Sequence, residues 1–477
     1  MYRIKHSHTK IIATIGPACS DKETICKMIY EGLDVCRLNF SHSKYEEHAQ
    51  VIQTIKELNH EIGTHISILA DLQGPKLRVG VVENNAVELV NGATLRLVTD
   101  ECTGNAEKVF VSYKPLPLDV MPGETILVDD GKIKLEVVST NRKDEVVTRV
   151  ISGGMLSSKK GVNLPNTNIS LPSLTEKDIA DVNFVLGFDI DWLALSFVRS
   201  ASDIIELKEL IKKNKKNTKI IAKIEKPEAL KDIDNIIDVA DGIMVARGDL
   251  GVETPFDQVP VVQKQIVSKC IAMAKPVIIA TQMMESMISN FRPTRAEATD
   301  VANAVTEGAD ALMLSGETSI GKYPVEVIRS MQEVVFATEG SGFSMLHHNP
   351  PDQHLPTYLP DAVCYNACQM ANLTGAKAIV VFTFGGASAY KVASHRPKAN
   401  IFAFTPFEHV MAQLSLLWGT RAFYLEPEIS INDAIAHSVE ILKSQGIVKQ
   451  GDVLVFVGGI PMKVRGPINT MKISRVE

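Results

Sequence analysis

Eight short apolar, β-branched runs separated by helix-length segments constrain this chain more than anything else in it. They fall at residues 10–15, 35–38, 66–70, 192–195, 219–222, 242–246, 276–280 and 309–314. Runs so short and so continuously apolar read as buried strands. Strands that alternate with helices build parallel sheets, and eight such units predict a (β/α)8 barrel. Ser43 with Glu46, and Thr294 with Glu297, have the spacing of a capping box, in which a hydroxyl and a carboxylate satisfy the free N–H groups of a helix start. That explains the Thr294–Glu297 stretch without catalysis.

The rhythm breaks once. Between residues 72 and 169 it gives way to alternating runs with Gly and Pro turns, at 86–89, 94–98, 108–111, 125–128, 133–138 and 146–151. This predicts a small β-barrel domain inserted after the third barrel strand, placed where a lid would hang over the catalytic face. Residues 341–360, rich in Pro and His, read as a linker. Beyond them, runs at 376–382, 400–404, 421–425 and 452–457 alternate with helices, as in a separate open α/β domain. The α/β chain therefore divides into a barrel (1–71 and 170–340), an insert (72–169) and a C-terminal domain (341–477).

With 45% hydrophobic and 22% charged residues in 477, the chain has an ample core. A net charge of −6 offers no electrostatic case for nucleic acid or an anionic membrane. The basic run at 212–216 reads as a solvated helix end. Residues 1–10 carry no apolar export core and no later run is long enough to span a bilayer, so a cytoplasmic location is expected. The seven cysteines form no CxxC pair. Cys364 and Cys368 lie one helical turn apart with no histidine pair nearby, and read as buried thiols in a reducing compartment.

In barrel enzymes the working residues sit at the C-terminal ends of the strands. Here Arg37 and Asn39 close the second strand, with Ser41 and His42 beyond, and Asp71 closes the third. Lys223 and Glu225 close the fifth, Arg247 and Asp249 the sixth, Thr281 the seventh, Ser315 and Glu317 the eighth. Side chains alternate along a strand, so Lys223 and Glu225 face the same side. They read either as a buried ion pair or, with Asp249, as a metal beside a fixed positive charge, suited to phosphoryl or enolate chemistry. Glu225 and Asp249 are hard oxygen ligands for Mg2+ or Mn2+. Arg37 and Lys223 supply charge for a phosphate, Gly248 allows close backbone approach to an anion, and Thr281 brings a hydroxyl. No Walker A loop or GxGxxG fingerprint is present, so a phosphate donor would be held by metal and side chains.

Several segments resemble the pyruvate kinase family, in its order: residues 14–17 (TIGP), 37–42 (RLNFSH), 159–163 (KKGVN), 222–225 (AKIE), 244–253 (MVARGDLGVE), 281–287 (TQMMESM), 292–297 (RPTRAE) and 314–318 (LSGET). The resemblance implies phosphoryl transfer from phosphoenolpyruvate to ADP, giving pyruvate and ATP. It implies that Lys223 and Arg37 meet the phosphoryl group and that Glu225 and Asp249 hold Mg2+. Gly248, Asp249 and Thr281 would take the substrate carboxylate end, with Thr281 near the proton path, where a water chain serves better as the acid. Asn39, Arg78 and Lys160 would line the nucleotide side, the insert would close as a lid, and the assembly would be a homotetramer.

The chain departs from the family pattern twice. Many members hold a monovalent cation and carry Asp-Thr-Lys-Gly-Pro-Glu after the third strand; here Asp71-Leu72-Gln73-Gly74-Pro75-Lys76 stands there. Asn39, Ser41 and Asp71 are retained, while Lys76 looks like the ammonium group that replaces K+, so K+ is not expected to be required. The family's sugar-phosphate loop reads Thr383-Phe384-Gly385-Gly386-Ala387-Ser388, without its basic residues. Thr383 and Ser388 remain for a weaker monophosphate effector, or none. Two rivals are a metal-dependent barrel lyase acting on pyruvate enolates, which needs no ADP, and a scaffold with a decayed site, which would have lost one of Lys223, Glu225, Asp249 or Thr281.

Overall fold

A computed structural model describes residues 4–167, 169–342, 350–427, 430–460 and 466–477. Eight parallel strands close into a barrel in chain order: Lys10–Thr14, Val35–Asn39, Ser67–Asp71, Trp192–Leu195, Lys219–Ile224, Gly242–Ala246, Val277–Ala280 and Ala311–Leu314. Alternation along each strand divides two apolar sets. Ile12, Val35, Leu69, Trp192, Ile221, Met244, Ile278 and Ala311 fill the interior. Their neighbours Ile11, Cys36, Ile68, Leu193, Ile220, Ile243, Val277 and Leu312 face the surrounding helices.

Helix ends follow local chemistry. The helix Arg295–Glu307 starts on Thr294, whose hydroxyl accepts the Glu297 N–H, and stops at Gly308 with φ 94°. The expected cap at Ser43 is one residue out. Ser43 has φ 67°, the helix Tyr45–Ile62 is entered through Lys44, and Glu47, not Glu46, accepts the Lys44 N–H.

The insert contains a six-stranded sheet and a two-stranded one over its own core. It has two strands beyond the expected six, Gly154–Ser157 and Val162–Asn163. The six-stranded sheet is not closed by a regular strand. Isolated bridges from Arg78 to Gly161 and from Val79 to Val111 span its edges instead. The polypeptide enters past Gly74, whose N–H donates to Asp178 at 3.0 Å. It leaves past Arg199, which donates to the carbonyls of Ile169 and Leu171.

The linker expected over 341–360 lies outside the described residues at 343–349, and its end is already helical, in Tyr358–Thr374. The C-terminal sheet has the four expected parallel strands and a fifth, antiparallel one, Thr470–Arg475, at its edge. It packs on the barrel floor: Leu416 joins the interior cluster and Tyr390 lies against it. Arg396 donates to the Gly308 carbonyl at 2.7 Å and to Asp310 at 2.8 Å. The seven cysteines are free thiols, Cys364 and Cys368 buried, and Lys216 pairs with Asp189. No helix among the described residues is long and apolar enough to cross a membrane.

Candidate active site at the barrel mouth

The parity that buries Ile12, Val35, Leu69, Ala194 and Ile221 places the residue two positions further on in the next layer toward the C-terminal end. That layer is Thr14, Arg37, Asp71, Ser196 and Lys223, with Glu225 above, and it is one hydrogen-bonded network. Arg37 donates through Nε at 2.7 Å and Nη2 at 2.6 Å to Oδ2 of Asp71, and through Nη1 to the Thr14 hydroxyl at 2.8 Å. Oδ1 of Asp71 lies 3.1 Å from the Lys223 ammonium. Lys223 also reaches Glu225 at 3.0 Å and donates to the Ser196 hydroxyl at 2.6 Å. The second Glu225 oxygen accepts the Phe197 N–H at 2.8 Å.

Electrostatics follow from burial. Desolvation opposes the charge on Lys223, but Asp71 and Glu225 outweigh it and its pKa is raised. Burial likewise opposes ionised Asp71, and Lys223 and Arg37 overcome that and hold the carboxyl below its ordinary range. Glu225 moves the other way. Burial raises its pKa, Lys223 counteracts, and the negative charge of Asp249 adds to the rise. A buried carboxylate near a second, half-buried one is an arrangement that can hold a cation. No group of three or more His, Cys, Asp or Glu side chains gathers as a metal site among the described residues. A pair of carboxylates suits Mg2+, which fills the rest of its shell with water and substrate oxygens.

Asp249 and Gly248 stand in the first turn of the helix Arg247–Glu253, directly after the sixth strand. The Gly248 N–H donates to the Thr281 hydroxyl at 2.8 Å, and a Cβ on Gly248 would meet that oxygen at 3.4 Å. Thr281, a β-branched residue, holds φ 70°, a conformation that costs about 1–3 kcal/mol. Its carbonyl is pinned by Arg247 at 2.8 Å, and Arg247 also pairs with Asp300. Arg247 therefore braces the Thr281 turn at the edge of the cleft. Glu317 is also structural: its carboxylate accepts the Ser315 and Met284 N–H groups.

Between insert and barrel runs a cleft of about 860 Å3 lined in part by Lys76, Asp130, Arg247, Gly248 and Asp249. Lys76 forms no ion pair among the described residues. It is close enough to His42 that, after burial and Arg78, its charge helps to lower that imidazole's pKa, with Arg37 adding to the effect. Asn39 Oδ1 accepts the Ser41 N–H at 3.1 Å, and the Leu72 carbonyl accepts the Ser196 hydroxyl at 2.7 Å. On the insert, Lys160 pairs with Asp129 at 2.8 Å and Arg78 donates to the Lys159 carbonyl at 3.0 Å. Thr383 and Ser388 lie far along the chain in a pocket of about 170 Å3 in the C-terminal domain, beside Phe384, Ala387 and Glu426. The Thr383 hydroxyl accepts the Gly386 N–H at 3.0 Å.

Thr14 and Ser196 were not singled out from sequence. Counting two residues past the last interior apolar position on the first and fourth strands would have found both.

A family model described as the pyruvate kinase barrel domain matches residues 6–328, and one described as the pyruvate kinase alpha/beta domain matches residues 361–474. The chain is 42% identical to a pyruvate kinase of Corynebacterium glutamicum over 98% of its own length and 97% of the relative's. It is 40% identical to one of Mycobacterium tuberculosis, covering 98% of each. Among solved structures, a pyruvate kinase of Cryptosporidium parvum superposes with a TM-score of 0.92 at 35% identity, over 98% of this chain and 96% of that one.

Proposed function

The chain belongs to the pyruvate kinase family, and from that premise we propose how its own residues carry the reaction. It is a phosphotransferase that moves the phosphoryl group of phosphoenolpyruvate to ADP, leaving pyruvate and ATP. The observation that carries the assignment of roles is the position of Lys223. It is a charged amine held between Asp71 and Glu225 at the barrel mouth, with its charge kept in a buried site. There it stabilises the negative oxygens of the phosphoryl group and of the enolate as they develop. Arg37 holds the phosphoryl group from the second strand, fixed by Asp71 and Thr14.

Glu225 and Asp249 would hold Mg2+, with Mn2+ as a substitute, and the metal would supply charge neutralisation at the reacting oxygens. The Gly248 and Asp249 backbone, at the start of its helix, and Thr281 receive the substrate carboxylate. The Thr281 hydroxyl already donates to the Ala280 carbonyl at 2.6 Å. It therefore orients water toward the enolate carbon rather than giving up its own proton.

Asn39, Arg78 and Lys160 take the nucleotide, the first from the barrel and the others from the insert. The three-part division at 72–169 and 341 makes the insert a lid over this cleft and the C-terminal domain the regulatory part. The lining of the C-terminal pocket offers Thr383 and Ser388 but, among the described residues, no Lys or Arg. That favours a monophosphate effector or none, which effector titration at subsaturating phosphoenolpyruvate resolves. A homotetramer in the cytoplasm is the family habit and is our reading for this chain.

We further place the chain in the K+-independent branch. The oxygens that a monovalent cation would use at Asp71, Asn39 and the Leu72 carbonyl already accept hydrogen bonds. Lys76 brings to the cleft an ammonium group that forms no ion pair among the described residues. Pyruvate release with ADP, Mg2+ and phosphoenolpyruvate, measured with and without K+, tests both parts. Turnover without ADP would remove the kinase reading, and a rate near zero until millimolar K+ is added would remove the second.

A further inference from the structure

A buried ion pair adjoins the network of the barrel mouth without belonging to it. Lys226 and Glu253 lie 2.7 Å apart, their side chains only 5% and 1% exposed. Such a pair adds little stability, because taking two charges out of water costs about what their attraction returns. Its position is what distinguishes it. Lys226 directly follows Glu225, and Glu253 ends the helix that begins with Arg247, Gly248 and Asp249. The pair therefore ties together the two segments that carry the candidate metal carboxylates.

A third partner comes from the insert. Asn163, on the strand Val162–Asn163, donates through Nδ2 to the same Glu253 oxygen at 2.9 Å. Its strand pairs with Thr125–Val128 inside the insert's own sheet, so Asn163 moves with the insert. The other Glu253 oxygen is buried and accepts no hydrogen bond from the described residues. Close by, a Cβ placed on Gly131 at the tip of the insert would sit 3.8 Å from Val252. The insert thus rests on the active-site helix, and its polar contact there is a charge-assisted hydrogen bond to an oxygen oriented by Lys226.

We propose that Asn163 is the latch that holds the insert shut over the nucleotide, with the Lys226–Glu253 pair as its catch. The inference rests on the reading of the insert as a nucleotide lid and adds a positioning residue to it. Closing the insert gives Glu253 its second donor, and opening it removes that donor while Lys226 stays. The catch itself stays made whether the insert is open or closed, so the segments bearing Glu225 and Asp249 remain joined when the latch is lost. Loss of the latch lowers the closed population, and apparent nucleotide affinity falls by the same fraction.

The test uses the full chain with Asn163→Ala and the near-isosteric Asn163→Asp, which sets a second carboxylate against Glu253. We expect the KM for ADP to rise about tenfold in the first, the value of one charge-assisted hydrogen bond, and further in the second. The KM for phosphoenolpyruvate, and kcat at saturating ADP, should change less than about twofold, since no reacting group is touched. Amide hydrogen exchange should quicken in the segments 72–76 and 169–173 that join insert to barrel, while the barrel strands keep wild-type protection. A wild-type KM for ADP in both variants, or a fall in kcat without a change in that KM, would overturn the latch. Failure of the unaltered chain to release pyruvate with ADP would overturn the lid reading itself. If Asn163→Ala loses barrel protection, the near-isosteric Asn163→Asp decides.

Discussion

Lys223 and Asp71 meet at 3.1 Å across the mouth of the barrel, and the same carboxylate takes two nitrogens of Arg37. One buried anion thus holds two buried cations. Replacing it as Asp71→Asn keeps the shape and removes the charge, leaving Arg37 without a counter-ion and Lys223 with Glu225 alone. The expected cost is about 3–5 kcal/mol of stability, read as a lower urea midpoint at unchanged slope. The rate should fall more than about a hundredfold, because both phosphoryl-binding groups lose their orientation. A variant with wild-type midpoint and rate would show that Arg37 and Lys223 are held by other contacts.

The site was legible to the extent that strand alternation is strict. Lys223 and Glu225 share a face as expected, and they are both a buried ion pair and part of a candidate metal site, so the two sequence readings were not exclusive. Ser196 and Thr14 escaped because a lone hydroxyl after an apolar run carries no chemical signature. Their importance lies in whom they touch. Arg247 and Glu317 sat on the right rim but bond to Asp300 and to backbone groups, which spacing alone cannot reveal. The last strand, Thr470–Arg475, was missed because an exposed edge strand alternates polar and apolar residues without a buried run. The cap at Lys44 was missed because the carboxylate bonded a backbone N–H with no hydroxyl beside it.

Lys76 carries a charge prediction of its own. On the proposed role of Lys76, substituting Lys76→Glu should make the rate depend on K+. Without K+, kcat/KM for phosphoenolpyruvate should drop about a hundredfold, the effect of two or three kcal/mol of lost transition-state stabilisation. Added K+ should restore most of it. Equal rates with and without K+ in the variant would mean that Lys76 does not stand in for a cation.

At the proposed metal site, the raised pKa of Glu225 should set the pH dependence of Mg2+ binding. Mg2+ competes with a proton for this carboxylate, so apparent affinity is full above its pKa and falls up to about tenfold per pH unit below it. Burial is the largest cause of the rise and Asp249 adds to it against Lys223. The loss should therefore begin at higher pH than for an ordinary carboxylate. Asp249→Asn removes the repulsion and should move that onset to lower pH while weakening Mg2+ binding at neutral pH. Titration of Mg2+ by calorimetry across the acid range checks this, and an onset unmoved by the substitution would assign the shift to burial alone.

Far from the site, the floor of the barrel is joined to the C-terminal domain through Arg396 and Asp310. Arg396 lies over the Trp418 ring at 5.1 Å. Asp310 accepts the N–H groups of Val277 at 3.0 Å and Trp418 at 3.2 Å as well as the guanidinium at 2.8 Å. The substitution Arg396→Met strands a carboxylate that is only 1% exposed, and should cost about 3–5 kcal/mol. Adding Asp310→Asn removes the stranded charge while keeping an acceptor for the backbone, so the double variant should recover part of that loss. The urea midpoints of the two single variants and the double one, taken as a cycle, measure the coupling directly. If the double variant is as unstable as the sum of the singles, the domains are held by apolar packing around Leu416 and Tyr390, and the ion pair only sets their register.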